Sequence, residues 1–60
     1  MKLKEAKMAK ENNLFVCHID EPSLIGLITC FDDEETGFYY KPIGRGYTPI
    51  FAQLEKMRLC

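Results

Sequence analysis

Between Leu14 and Ile43 the chain carries three apolar, β-prone runs separated by turn residues, and the shortness of those turns limits the fold more than any other feature. Leu14–Ile19 reads Leu-Phe-Val-Cys-His-Ile, rich in aromatic and β-branched side chains, with Phe15, Cys17 and Ile19 sharing one face of a strand. Leu24–Phe31 is apolar on both faces, as suits a central strand, and Gly26 within it signals a bulge or a close approach of another backbone. Phe38–Ile43 completes the set, with Pro42 placing the strand at a sheet edge or ending its pairing, because proline cannot donate to a ladder. The connections Asp20-Glu21-Pro22-Ser23 and Asp32-Asp33-Glu34-Glu35-Thr36-Gly37 are too short for a parallel crossover, so the three strands form an antiparallel meander. Gly37 is assigned the left-handed position of a bulged hairpin loop.

The flanking segments read as helical. Residues 1–11 hold good helix formers with a thin apolar stripe of Leu3, Ala6, Met8 and Ala9, and Asn12-Asn13 breaks it. The reading for residues 1–13 is therefore a short weak helix or a flexible arm. After Gly44-Arg45-Gly46-Tyr47, Thr48 has the chemistry of an N-cap and Pro49 that of a first helical residue, and Ile50, Phe51, Leu54 and Met57 would line the buried stripe of a C-terminal helix. The expected architecture is an α+β domain of type (α)βββα, a three-stranded antiparallel meander packed by a C-terminal helix, spanning residues 1–60 as one unit.

Sixty residues leave a small core, and chains of this size often gain stability from a disulfide, a metal or a second subunit. Cys17, Cys30 and Cys60 are odd in number and form no CxxC pair, which argues against a disulfide framework. Zinc ligands ordinarily come in pairs two to four residues apart, whereas Cys17 and His18 are adjacent and on a strand point to opposite faces. No metal or other cofactor is expected. The lysine-rich start lacks the apolar stretch of a secretory signal, and no run approaches the ~20 residues that span a bilayer. These features place the expectation in a reducing cytoplasm, away from membranes. A homodimer through an exposed strand or sheet face is the staple that the composition leaves open.

Charge is uneven although the total is −1. Residues 12–40 carry Asp20, Glu21, Asp32, Asp33, Glu34 and Glu35 with no Lys or Arg, while the cations lie at Lys2, Lys4, Lys7, Lys10, Lys41, Arg45, Lys56 and Arg58. Asp32, Asp33, Glu34 and Glu35 would crowd one hairpin tip, suited either to meeting a basic protein surface or to keeping a sheet edge soluble. Their consecutive spacing does not match an EF-hand, which needs alternating oxygen ligands. Paired carboxylates for glycosidase-type chemistry would need a pocket that so small a domain has little room to build, and His18 stands alone without a nucleophile motif. The chain is accordingly read as non-enzymatic.

Two functional readings remain. The first is a protein-binding regulator or inhibitor, of a size shared with many accessory proteins of phages and mobile elements, docking through Asp32–Glu35 with Tyr39, Tyr40 and Tyr47 as anchors. The second is a nucleic-acid-binding module using the Lys-rich arm and the Lys41/Arg45 junction, where Arg45, Gly46 and Thr48 at a helix N-terminus would hold an anion. A pI of about 5.7 weighs against the second.

Overall fold

The computed structural model describes residues 1–44, 46 and 48–60. One helix, α1 (Leu3–Glu11), precedes β1 (Val16–His18), β2 (Ile25–Phe31), β3 (Gly37–Pro42) and β4 (Ile50–Gln53). A single 3-10 turn (Leu54–Lys56) then leads into β5 (Met57–Leu59). The strands form one antiparallel sheet in the order β4-β3-β2-β1-β5.

The expected C-terminal helix is absent, and this corrects the (α)βββα reading to one short N-terminal helix on a five-stranded sheet. The physical reason lies in what the meander leaves unpaired. A three-stranded sheet exposes backbone N–H and C=O groups along β3 and along β1. Residues 50–53 satisfy the first row, with Ala52 opposite Phe38 and Ile50 opposite Tyr40, and residues 57–59 satisfy the second, with Met57 opposite His18 and Leu59 opposite Val16. A helix of about ten residues nucleates poorly on its own, so the strand pairing and burial on offer override the local capping signal. The isolated turn at 54–56 is all that remains of helical structure there.

That turn also dictates the curvature of the sheet. β4 and β5 stand at opposite ends of the strand order, which in a flat sheet would separate them by four strand spacings, about 19 Å. The four Cα steps from Gln53 to Met57 reach at most ~14 Å even when extended. The sheet must therefore roll up, and Ala52 from one edge and Met57 from the other do meet in a single core cluster with Val16, Ile28, Phe38 and Tyr40. Phe38 sits at its centre, edge-on to Phe31 at 6.1 Å and to Tyr40 at 6.0 Å between ring centroids. Phe38, Tyr40 and Met57 are fully buried.

α1 covers this core through Ala6 and Ala9, both fully buried, whose small side chains let the helix backbone approach the sheet closely. Its end follows from the asparagines. The Asn12 side chain donates to the Met8 carbonyl at 2.9 Å, and Asn13 takes the left-handed conformation at φ 54°. The Met1 amino group donates to the carbonyls of Leu54 (2.8 Å) and Met57 (2.9 Å), tying the helix start to the turn between β4 and β5.

Of the two glycines singled out in the sequence, one departs from its expected role and one does not. Gly37 does not adopt positive φ; Glu35 occupies the left-handed position of the hairpin at φ 55°. Gly26 is a close approach, since a Cβ there would lie 2.0 Å from the Lys41 carbonyl oxygen. The irregularity of β2 falls later, between Ile28 and Cys30. Pro42 ends β3, which runs between β2 and β4 rather than along an edge.

Candidate functional site

The outer face of the sheet is set by register. Alternation along β3 sends Phe38 and Tyr40 inward and Tyr39 and Lys41 outward, as their burial shows. Tyr39 pairs with Phe51 on β4 and Cys30 on β2, and Lys41 pairs with Leu27. The Tyr39 and Phe51 rings stand 5.3 Å apart at 60°, and the two side chains are 39% and 46% exposed. Phe51 lies over Gly37, where a Cβ would come within 2.6 Å of its ring. The Thr29 hydroxyl donates to the Tyr39 carbonyl at 3.0 Å beneath the pair. With Leu27, which pairs with Lys41 and is also exposed, these side chains make an aromatic and aliphatic platform over β2, β3 and β4.

The acidic hairpin adjoins the same platform, because Gly37, directly after the turn, pairs with Gln53 beside Phe51. Its four carboxylates are not equivalent. Asp32 accepts hydrogen bonds from the Thr36 hydroxyl (2.9 Å) and the Gly37 N–H (3.1 Å), which close the turn. Desolvation pushes the Asp32 carboxyl up, but these hydrogen bonds, Gly37 foremost, outweigh it and hold the group below its usual value. Glu35 pairs with Lys7 of α1 at 2.7 Å. Asp33 and Glu34 are exposed at the tip.

The remaining expected site residues lie elsewhere. Tyr40 is fully buried and cannot serve as a surface anchor. Burial pushes its hydroxyl up, with Glu21 and Cys17 adding to the effect, and that hydroxyl has no hydrogen-bond partner among the described residues. Gly46 and Thr48 are exposed in the β3–β4 connection, but a strand follows them, so the helix N-terminus that was to bind an anion does not exist. Arg45 and Tyr47 lie outside the described residues. His18 is half-buried on β1, and its Nδ1 accepts the Asp20 N–H at 3.1 Å. Among the described residues no group of three His, Cys, Asp or Glu side chains is arranged to hold a metal, and no helix is long and apolar enough to cross a membrane.

Phe51 is the platform residue that the sequence reading placed wrongly, in the buried stripe of a helix. No local signal marks it as a strand residue, because Thr48-Pro49 reads as a helix start and the pairing with β3 is long-range. No protein-family model, curated protein or solved structure matches this chain.

Proposed function

We propose that the protein is a non-enzymatic binding module that docks on another protein through the Tyr39–Phe51 platform, with Asp33 and Glu34 at its rim. The observation that carries this reading is the exposed aromatic pair held across paired strands of the sheet. Aromatic side chains with few rotatable bonds give large contact areas at low entropic cost, and they concentrate at the centres of protein interfaces. The adjoining carboxylates favour a partner whose apolar patch is flanked by cationic side chains, and they repel nucleic-acid phosphates. That same repulsion ranks the nucleic-acid reading second, although Tyr39 and Lys41 share a face.

Affinity capture from host extract with the full chain, beside a Tyr39→Ala/Phe51→Ala variant, tests the proposal. A protein retained by the parent chain, insensitive to nuclease and lost with the variant at unchanged thermal stability, is the expected result. Equal capture by both chains, or capture that nuclease abolishes, overturns it. Loss of capture on Asp33→Lys/Glu34→Lys substitution would assign the rim its part.

A further inference from the structure

We propose that Cys17 and Cys60 form a reversible intramolecular disulfide that fastens β5 to β1, while Cys30 remains a thiol. The register places the two residues together. β1 and β5 pair with Cys17 opposite Arg58 and Val16 opposite Leu59, and the Cys60 N–H donates to the Phe15 carbonyl at 3.1 Å, which continues the ladder by one more pair. Cys60 is thus the diagonal neighbour of Cys17 on the same face of the two strands. Diagonal positions lie about 7–8 Å apart and a disulfide needs Cα atoms within about 6.8 Å, so closure asks for a shift of roughly 1 Å at the end of a strand.

Interaction with the neighbouring Cys17 thiol, and then burial, raises the Cys60 thiol above its ordinary value, while Arg58 pulls it the other way. All three cysteines are free thiols, Cys17 buried and Cys30 and Cys60 exposed, so within the Cys17–Cys60 pair an oxidant meets Cys60 first. Cys30 cannot compete for Cys17. Cys17 pairs with Ile25, and Cys30 lies five residues further along β2, roughly 17 Å away.

The chemistry is two successive thiol–disulfide exchanges with glutathione disulfide as the oxidant. Cys60, deprotonated, attacks one sulfur of glutathione disulfide; its S–S bond breaks, and one glutathione leaves and takes up a proton. Cys17, deprotonated in turn, attacks the Cys60 sulfur of the mixed disulfide and releases the second glutathione as a thiol. Two protein thiols are oxidised and one glutathione disulfide is reduced to two glutathiones. Excess glutathione reverses both steps.

The test equilibrates the folded full chain across graded ratios of glutathione to glutathione disulfide, quenches with an alkylating reagent and maps the peptides without reduction. The expected product has lost two hydrogens, joins Cys17 to Cys60, carries the alkyl group on Cys30 alone and unfolds at higher temperature than the reduced chain. The Cys30→Ser variant gives the same link, and the Cys60→Ser variant gives none. Glutathione persisting on Cys60 beside an alkylated Cys17, a link through Cys30, or a covalent dimer as the main product overturns the proposal. Repeating the oxidation in concentrated urea controls for folding: mixed pairings there, set against one pairing in the native chain, show that the β1–β5 register selects the bond, and identical patterns in both would refute it.

Discussion

The Phe51 ring rests on Gly37, close enough that a Cβ at position 37 would fall 2.6 Å from the ring and 2.4 Å from the Ala52 carbonyl oxygen. Because part of that obstruction is backbone, the strand cannot yield by a rotamer change alone. Gly37→Ala is expected to cost about 1–3 kcal/mol, the usual range for overpacking, and to loosen the β3–β4 ladder. Urea unfolding followed by tyrosine fluorescence measures the loss, and an unchanged midpoint would contradict the packing described.

Tyr40 buries a hydroxyl without a hydrogen-bond partner among the described residues, so removing that oxygen should do no harm. Tyr40→Phe is expected to be neutral or to stabilise the fold by up to about 1–3 kcal/mol, the range for an unsatisfied buried polar group. The pH dependence has a definite sign. The folded-state pKa of Tyr40 is raised, so folding favours the neutral phenol, and the associated stability is complete below the unfolded value near 10 and lost as pH rises through the higher folded value. Alkaline unfolding should therefore begin at higher pH in Tyr40→Phe, as circular dichroism during base titration would register.

Asp32 acts in the opposite pH range. Its carboxyl is held below its usual value in the folded chain, so its contribution is present above the unfolded value near 3.9 and falls away as pH drops through the folded one. Asp32→Ala should abolish this part of the acid sensitivity and leave the turn without its bonds to Thr36 and Gly37. Amide hydrogen exchange at Gly37 should accelerate in the variant relative to the Phe38 amide, which belongs to the strand.

The Lys7–Glu35 pair links α1 to the hairpin, yet both side chains are about half exposed. Exposed pairs contribute about 0–1 kcal/mol, so Lys7→Ala should shift stability by less than about 1 kcal/mol, and raising the salt concentration should erase the difference. Ala6→Leu, in contrast, places a large side chain at a fully buried contact and should cost several times more.

The three meander strands were legible in the sequence because each combines β-prone residues with flanking turn chemistry, and they occupy 16–18, 25–31 and 37–42 in the structure. The weak helical pattern of 1–11 was legible too, down to the Asn12-Asn13 stop. What misled was the segment after Thr48-Pro49. Ile50, Phe51, Leu54 and Met57 fit a helical stripe, and nothing local reveals that β1 and β3 hold unpaired edges for 50–53 and 57–59 to fill. The functional face suffered accordingly. Tyr39 and Tyr40 are adjacent and so point to opposite sides of β3, which leaves only Tyr39 at the surface, whereas Phe51 reaches that surface only once 50–53 is a strand. The Cys17–Cys60 juxtaposition was invisible for the same reason, since it depends on β5.

Site-specific photo-crosslinking tests the docking face most directly. Benzoylphenylalanine is incorporated at position 39 or 51, with positions 11 and 55, both exposed and outside the platform, as controls. Irradiation in host extract should yield one and the same protein adduct from positions 39 and 51 and none from 11 or 55. Adducts of equal yield from all four positions, or none from the platform, would contradict the assignment of Tyr39 and Phe51 as the binding surface.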